Sequence, residues 1–434
     1  MQKNFDVVIV GAGFAGLSAA KALASSSLSV CLIDKTNHHL FQPLLYQVAT
    51  AALSPANIAY PIREVFKKDP SISTLMAEVI KLDFSDKSIE LNNAQIIHYT
   101  YLILCPGSMH HYFDHPEWEA FAPGLKTLSD ALTIRDHTLA AFENAEKETN
   151  PETLSALLNF VIVGGGPTGV EMAGSIAEIA HQSLSQNFRQ INPINSKIYL
   201  IEAGSQLLAG YPITAAEQTK QDLEKLHVTI KLNHRVININ EKGVFLENTS
   251  ASDSSPLFIP SHNIVWAAGN QVSPLIKTLN AKADRSGRVY VNSDLSIPDH
   301  PNVFVLGDCA HFPDPVTGKP LPAVAPTAKQ MGRFVGNLIK NEVKQSTPRG
   351  VFKYQDWGMM ATIGKYKAIV LSGPIKCSGL MAWIMWGIVH IFFLISFRMK
   401  VIVFFEWMYY FFRGQRNSRL IVPRKEKHKP DLKE

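Results

Sequence analysis

Two stretches of the chain share the same succession of apolar and polar positions. Residues 5–35 read FDVVIVGAGFAGLSAAKALASSSLSVCLIDK: an apolar run, a glycine turn, an alanine-rich segment, a second apolar run and an acid. Residues 159–202 repeat this order, from NFVIVGGGPTG to KIYLIE. Apolar runs bounded by glycine are typical of buried parallel strands, and the segments between them have the length and composition of helices. The pattern predicts an α/β protein with two strand–helix–strand units.

The first glycine turn has the spacing of a dinucleotide-binding unit. Gly11 permits a tight turn, Gly13 lets the backbone approach a pyrophosphate, and Gly16 lets the helix pack closely on the strand. Asp34 ends the second strand, where a carboxylate accepts hydrogen bonds from ribose hydroxyls. A strand and helix that are merely close-packed are the alternative. The residues predicted to contact the dinucleotide are Gly11, Gly13, Phe14, Ala15, Gly16, Asp34 and Lys35.

The second glycine turn predicts a second dinucleotide. Glu202 ends its second strand, later than Asp34 does in the first unit, because SLSQNFRQINPINS extends the helix or adds a loop. A carboxylate there repels a 2′-phosphate and no Arg follows it, which favours NADH over NADPH. A structural acid at a strand end is the alternative. The predicted contacts are Gly164, Gly166, Thr168, Gly169 and Glu202.

Three further strand ends complete the arrangement, in YLILCPGS (101–108), NIVWAAGN (263–270) and HPNVFVLGDCAHF (300–312). Their predicted cofactor contacts are Gly107, Ala268, Gly269, Gly307 and Asp308. The order of the five motifs resembles the glutathione reductase type of flavoprotein, which implies two Rossmann-type domains with the NAD domain inserted into the FAD domain. The expected division is an FAD domain in two pieces (1–125 and 275–345), an NADH domain (126–274) and a C-terminal membrane-anchoring region (346–434).

Longer motifs resemble one particular family within this type of flavoprotein. HHLFQPLLYQVAT, APGLKTLSDAL, WGMMATIGKYKAIV and the apolar C-terminal segment resemble the type II NADH:quinone oxidoreductases, single-subunit respiratory dehydrogenases, over essentially the whole chain. The resemblance implies FAD and NADH as cofactors and a quinone as electron acceptor, with no proton pumping. The glycine motifs are shared by many flavoproteins, so the specific signal is in the longer motifs.

The resemblance also implies roles for single residues. Glu171, expected in the opening turn of the second unit's helix, matches the family glutamate that lies near flavin and nicotinamide and is linked to quinone reduction; a helix-stabilising glutamate is the alternative. Many family members have Gln where this chain has Pro326, so Gln330 is the remaining quinone-side candidate, with a structural helix glutamine as its alternative. Further predicted FAD contacts are His39, Val79, Ala325 and Pro326.

The C-terminal region predicts attachment to a membrane. Residues 380–397 carry no formal charge, Arg398 and Lys400 interrupt them, and VIVFFEWMYYFF then resumes before a basic tail from Arg413 onward. Two apolar pieces with aromatic residues and a basic tail favour monotopic binding to an anionic lipid surface. The alternatives are a transmembrane helix and a buried core or dimer helix. The catalytic body is expected at the cytoplasmic face of the inner membrane, because no room exists for a cleavable signal peptide before the first strand. We also expect a homodimer.

Composition excludes several other functions. The net charge of +5 derives largely from the tail, so nucleic acid is not an expected partner. Four scattered cysteines offer neither a metal site nor the paired redox disulfide of a disulfide reductase. Two alternatives stay open: a sulfide:quinone oxidoreductase-like flavoenzyme, and an FAD- and NAD-binding redox sensor without rapid turnover.

Overall fold

The computed structural model describes residues 3–250, 255–315, 317–345 and 348–421. The elements up to residue 110 are β1 (Asn4–Val10), α1 (Phe14–Leu23), β2 (Val30–Asp34), β3 (His38–Leu40), α2 (Leu45–Ala49), β4 (Ala59–Pro61), α3 (Ile62–Val65), β5 (Ile72–Met76), β6 (Val79–Asp83), β7 (Ser88–Leu91), β8 (Ile96–Leu104) and β9 (Ser108–His110). Those of the middle are α4 (Leu128–Ala145), α5 (Pro151–Leu158), β10 (Asn159–Val163), α6 (Pro167–Glu178), β11 (Lys197–Ile201), α7 (Ile213–Glu224), β12 (Val228–Lys231), β13 (His234–Asn240), β14 (Gly243–Asn248), β15 (Leu257–Pro260), β16 (Asn263–Trp266), β17 (Asn270–Val272) and α8 (Pro274–Lys277). The rest are β18 (Val289–Tyr290), β19 (Ser296–Ile297), β20 (His300–Val305), β21 (Ala310–His311), α9 (Ala325–Gln345), β22 (Met359–Gly364), β23 (Lys367–Ser372), β24 (Ile375–Ser378), α10 (Gly379–Phe393) and α11 (Phe397–Arg413).

The first glycine turn follows the central strand of the larger sheet. This sheet runs β19-β20-β8-β1-β2-β5, and β1 pairs in parallel with both β2 and β8. Its strands come from two separate parts of the chain, because β20 returns to pair in parallel with β8. Val7, Val8 and Ile9 are fully buried, as expected for a strand covered on both faces.

The second glycine turn follows the matching strand of a separate sheet. The order is β12-β11-β10-β16 with every pairing parallel, so β10 occupies the place that β1 has in the larger sheet. A three-stranded antiparallel sheet, β13-β14-β15, lies between β12 and β16 in the chain. Open parallel sheets bind ligands at the carboxyl ends of their strands, which is where both turns lie.

Glycines let other elements approach the helices of both units. A Cβ atom on Gly332 of α9 would lie 2.1 Å from the Ala15 carbonyl oxygen of α1. A Cβ atom on Gly174 of α6 would lie 1.8 Å from the Ile363 oxygen of β22. The absence of side chains therefore brings α9 against the first unit and the C-terminal sheet against the second.

The C-terminal region forms a small sheet followed by two helices. Strands β22, β23 and β24 are antiparallel, and α10 and α11 form an antiparallel hairpin in which the Trp386 and Trp407 ring centroids are 5.0 Å apart. The predicted break at Arg398 and Lys400 is misplaced: α10 ends earlier and Ser396 caps α11 by accepting a hydrogen bond from Met399 N. The described part of the chain contains no helix long and apolar enough to cross a bilayer.

The basic segment after α11 lies partly against the protein. Arg416 is 3% exposed and forms an ion pair with Glu178 of α6, 2.8 Å from nitrogen to oxygen. Arg419 donates a hydrogen bond to the Ser183 carbonyl oxygen. The expectation that this segment is free for lipid is therefore wrong for Arg416, because a buried carboxylate requires its charge. Arg424 and Lys425, which also belong to the basic tail, lie outside the described residues.

Candidate functional site

The first glycine turn is shaped by close backbone contacts. Gly11 has a φ of +101°, and a Cβ atom there would lie 2.3 Å from the Cys105 oxygen. A Cβ atom on Gly16 would lie 1.8 Å from the Gly11 oxygen. The Ala12 N–H donates to the Asp34 carboxylate at 2.7 Å, so the acid at the end of β2 also fastens the turn.

The second glycine turn repeats this geometry residue for residue. Gly164 has a φ of +110°, and a Cβ atom on Gly169 would lie 1.8 Å from the Gly164 oxygen. The Gly165 N–H donates to Glu202 Oε2 at 2.6 Å, as Ala12 does to Asp34. Because equivalent positions make equivalent contacts, the two turns are two copies of one structural motif.

Both turns leave room for a ligand at their middle glycine. A Cβ atom on Gly13 or Gly166 would meet no protein atom within 4 Å, in contrast to the glycines on either side. Gly13 and Gly166 are the N-cap residues of α1 and α6, and neither helix has a side-chain cap, so their first N–H groups are available to an anion. The residues present therefore fit two dinucleotides.

The ends of β8 and β20 meet beside the first turn. Asp308 accepts a hydrogen bond from Ser108 Oγ at 2.6 Å, and Lys126 Nζ donates to the same hydroxyl at 3.1 Å. A Cβ atom on Gly307 would lie 3.7 Å from the Ala15 Cβ atom. The structure therefore brings Asp308 and Gly307 to the first unit, together with Ser108 and Lys126, which the motif analysis did not single out.

Other predicted FAD contacts lie around the same turn. His39 is 4% exposed, its Nδ1 donates to the Ala12 oxygen at 2.8 Å, and burial lowers its pKa to about 4. Val79 is buried at the start of β6, whereas Lys35 is exposed after Asp34. The remaining predicted contacts occupy element ends: Ala325 and Pro326 begin α9, Thr168 lies in the first turn of α6, and Ala268 and Gly269 follow β16.

Glu171 lies one turn farther into α6 than expected. The helix begins at Pro167 and has no acid in its first turn, so the predicted position in the opening turn is wrong. Glu171 Oε1 lies 3.5 Å from the Thr362 N–H of β22. The residue is only partly exposed, and burial raises the pKa of its carboxyl group to about 8. The side chain therefore holds a proton near neutral pH.

A buried chain of hydrogen bonds links the surroundings of Glu171 to α11. Trp407 Nε1 donates to Gln47 Oε1 at 2.7 Å, and Gln47 Nε2 donates to the Tyr46 hydroxyl at 3.0 Å. The Tyr46 and Thr362 hydroxyls are 2.9 Å apart. None of these contacts is predicted by the sequence motifs, although Tyr46, Gln47 and Thr362 lie inside the motifs that carried the family resemblance.

Gln330 makes two hydrogen bonds to the backbone of one residue. Its Nε2 donates to the Gln355 carbonyl oxygen, and its Oε1 accepts from the Gln355 N–H, both at 2.9 Å. The amide group thereby joins α9 to the segment before β22. This arrangement favours the alternative of a structural glutamine, and the role towards quinone stays a prediction.

Comparison with known proteins identifies the family. A family model described as pyridine nucleotide-disulphide oxidoreductase matches residues 5–332. The chain is 38% identical over 432 residues to the type II NADH:quinone oxidoreductase Ndh of Mycobacterium tuberculosis, which covers 97% of this chain and 91% of that protein. The chain belongs to the type II NADH:quinone oxidoreductase family. The family predicted from the longer motifs is confirmed.

Solved structures confirm the fold. NDH2 from Plasmodium falciparum, in a structure of its complex with NADH, has a TM-score of 0.87 at 20% identity, covering 96% of this chain and 100% of that one. The sulfide:quinone oxidoreductase from Aquifex aeolicus has a TM-score of 0.72 at 16% identity, covering 90% of each chain. Identities this low support a shared fold only. The predicted α/β dinucleotide-binding flavoprotein fold is thus correct.

Proposed function

We propose that this chain passes two electrons from NADH through FAD to a quinone, as a respiratory NADH dehydrogenase that does not pump protons. The observation that carries the proposal is the duplicated glycine turn with room for a ligand at Gly13 and again at Gly166. FAD bound there would supply the redox chemistry, taking a hydride from NADH and passing two electrons on to a quinone. Membership of the type II family supports this reaction over that of a sulfide:quinone oxidoreductase.

The two turns divide the cofactors between them. Residues around Gly13, together with Asp34 and Asp308, would hold FAD, and those around Gly166, together with Glu202, would hold NADH. The division corresponds to the domain pieces 1–125, 126–274 and 275–345. Support comes from the larger sheet, which combines strands from the first and third pieces, and from the smaller parallel sheet, which lies within the second.

Glu171 is the residue that we assign to proton delivery during quinone reduction. Reducing a quinone to a quinol consumes two protons, and a donor works best with a pKa near the operating pH. Burial raises the pKa of Glu171 to about 8, so its carboxyl group is protonated and can release a proton. A helix-stabilising role would favour a charged acid in the first turn, and Glu171 is neither charged near neutral pH nor in that turn.

Stopped-flow measurement of Glu171→Gln tests the assignment. Glutamine keeps the size and polarity of the protonated acid but holds no transferable proton. We expect bleaching of the flavin band by NADH at the parent rate, and its return on adding a water-soluble quinone analogue to be slower by about a hundredfold. Glu217→Gln, an exposed change on α7, is the matched control. Parent rates for both half-reactions would refute the role of Glu171.

The same experiment tests the reaction itself. Bleaching of the flavin by NADH without any return on adding quinone would favour the redox-sensing alternative. Bleaching by sulfide but not by NADH would favour the sulfide:quinone oxidoreductase alternative.

For Gln330→Ala, a raised quinone KM with an unchanged melting temperature would support a contact with quinone, whereas a lowered melting temperature alone would support the structural role.

Attachment to a membrane is the last part of the proposal. Both C-terminal helices expose an apolar stripe, and the opposite faces are buried against the protein through Trp386, Val403 and Trp407. The exposed residues include Leu380, Met381, Ile384, Ile388 and Phe392 on α10, and Phe397, Val401, Phe404, Phe405, Met408, Tyr409 and Phe412 on α11. Such faces fit monotopic binding, here at the cytoplasmic side of the inner membrane.

Point substitutions test attachment better than truncation does. Deleting residues 377–434 removes Trp407 from the core and leaves Glu178 buried without Arg416, so the shortened chain is expected to unfold.

The homodimer predicted from the sequence is also part of the proposal. Light scattering of the detergent-solubilised protein tests it, and a monomer mass would refute it.

A further inference from the structure

Cationic side chains lie close to one another near the end of the C-terminal hairpin. We call residues 392–400 the hairpin tip, and Lys21, Lys329, Arg333 and Lys400 the tip cations. They come from α1, α9 and α11. Lys329 Nζ lies 4.0 Å from the centroid of the Phe393 ring, and Lys400 Nζ lies 5.2 Å from that of Phe392. Two of the four cations therefore contact adjacent phenylalanines at the tip.

The tip cations repel one another. Burial, together with the charges of Lys21, Arg333 and Lys400, lowers the pKa of Lys329 to about 8. Within the described residues, none of the four forms an ion pair with a carboxylate. Burial keeps the neighbouring His39 neutral near pH 7, and the carboxylate of Asp34, which also acts on His39, accepts hydrogen bonds from the Ala12 and Thr36 N–H groups. Gathering like charges without a directly paired carboxylate is unfavourable unless an anion binds there.

Lys21 extends the cluster away from the FAD turn, whereas Lys329 lies one turn after Ala325 and Pro326 on α9. Lys21 lies in the last turn of α1, at the opposite end from Gly13 and its free N–H groups. Apart from Arg398 and Lys400, the hairpin tip is apolar at the surface, since Phe392 is 68% and Phe397 is 81% exposed. A ligand at this position meets an exposed aromatic surface and several cations at once. A bilayer presents that combination where phosphodiester groups lie above acyl chains.

We propose that the tip cations bind the phosphodiester group of an anionic phospholipid while Phe392 and Phe397 enter the bilayer beside it. The proposal rests on the membrane attachment proposed above and adds a named headgroup site to it. Lys21, Lys329 and Arg333 belong to the flavoprotein body and Lys400 to the hairpin. A lipid headgroup held by all of them joins body and hairpin at one place on the membrane surface.

Vesicle flotation of the full-length flavoprotein tests the site. The variant is Lys21→Gln/Lys329→Gln/Lys400→Gln, and the matched control is Lys81→Gln/Lys242→Gln/Lys319→Gln, which removes three exposed lysines from other elements. Vesicles contain phosphatidylcholine alone or with phosphatidylglycerol. Each cation near an anionic surface contributes about fivefold to partitioning, so the tip variant is expected to bind phosphatidylglycerol vesicles about a hundredfold more weakly than the parent. Flavin content and circular dichroism check folding.

The outcomes separate the two proposals. The headgroup site predicts that parent, control and tip variant bind phosphatidylcholine vesicles equally, and that only the tip variant loses the preference for phosphatidylglycerol. An equal preference in tip variant and parent overturns the headgroup site while leaving attachment intact. Failure of the parent to bind any vesicle overturns attachment itself. If inorganic phosphate at matched ionic strength displaces the parent from phosphatidylglycerol vesicles, the cluster binds free anions and the lipid site is wrong.

Discussion

A Cβ atom on Gly166 would meet no protein atom within 4 Å, whereas one on Gly169 would lie 1.8 Å from the Gly164 oxygen. The two glycines of this turn are thus required for different reasons, space for a ligand and space for the fold. Gly166 has a φ of −72°, which alanine adopts without strain. Substitutions at these two positions, three residues apart, therefore distinguish an effect on ligand binding from an effect on stability.

Alanine substitutions at these two glycines should give opposite results. Gly166→Ala is expected to keep the parent melting temperature and flavin content but to raise KM for NADH at least about tenfold, because its methyl group occupies the ligand space. Gly169→Ala is expected to lower the free energy of unfolding by about 1–3 kcal/mol through overpacking. Steady-state kinetics and thermal unfolding check both. A normal KM in Gly166→Ala would show that NADH does not approach this turn.

The carboxylate of Glu202 should set the choice between NADH and NADPH. Replacing it with Gln removes a charge that repels a 2′-phosphate, while the amide oxygen can still accept the hydrogen bond from the Gly165 N–H. We expect the ratio of kcat/KM for NADH to that for NADPH to fall about tenfold. Glu217→Gln on α7 serves as the control. A ratio that stays at the parent value would assign Glu202 a structural role only.

Glu171 should make the stability of the protein depend on pH. Burial raises its pKa from 4.5 to about 8. Because the unfolded chain releases this proton first, the contribution of Glu171 becomes less favourable as pH rises from about 4.5 to about 8 and is constant above that range. Glu171→Gln is expected to gain stability over the parent through this range, by on the order of 1 kcal/mol at its upper end, since the residue is partly exposed. Denaturant unfolding at several pH values measures the difference, and a pH-independent difference would contradict the raised pKa.

Among the elements, α6 depends on the segment that follows α11. Glu178 lies two turns after Glu171 and is 3% exposed, and it accepts hydrogen bonds from the Arg416 guanidinium, the Tyr410 hydroxyl and the Lys365 N–H. Arg416 also donates to the Thr50 oxygen at 2.7 Å. Removing one partner of a buried ion pair leaves the other charge uncompensated, which is far less favourable than removing both.

Substitutions in this ion pair should show that asymmetry. Arg416→Ala is expected to destabilise the protein by about 3–5 kcal/mol, and Glu178→Leu/Arg416→Met by less, since the double variant buries no unpaired charge. Arg419→Ala, which loses a hydrogen bond to a backbone oxygen, is the milder control, at about 1 kcal/mol. Thermal unfolding with flavin fluorescence follows the loss. Equal effects of Arg416→Ala and Arg419→Ala would mean that the pair does not secure α6.

The elements predicted correctly from the sequence are those fixed by local rules. The geometry of a glycine turn between an apolar strand and a helix depends on neighbouring residues alone, so both strand–helix–strand units were predictable. The chain from Trp407 to Thr362 was not, because Tyr46 and Thr362 are 316 residues apart in sequence and each polar side chain alone suggests nothing about its partner. The prediction that Arg416 is free to bind lipid was wrong for the same reason. A basic residue in a basic tail does not indicate that it pairs with a buried carboxylate such as Glu178.

At the scale of the whole molecule, the proposed attachment to a membrane depends on the exposed stripes of α10 and α11. Ile388 on α10 is 64% exposed and Phe405 on α11 is 65% exposed, and both lie opposite the buried faces of their helices. Moving an apolar side chain of this size from water into a bilayer contributes about 1.5–3 kcal/mol. Removing both side chains should therefore weaken membrane binding without disturbing the core.

Ile388→Gln/Phe405→Gln is expected to lower partitioning to phosphatidylcholine vesicles at least about a hundredfold, because two buried apolar side chains together account for several kcal/mol. The control Met76→Gln/Ile213→Gln removes two exposed apolar residues from β5 and α7 and should bind as the parent does. NADH-driven reduction of a water-soluble quinone analogue should be unchanged in both variants, since that acceptor needs no membrane. Full vesicle binding by Ile388→Gln/Phe405→Gln would mean that another surface attaches the protein, whereas loss of binding by the control as well would point to a general effect of surface polarity.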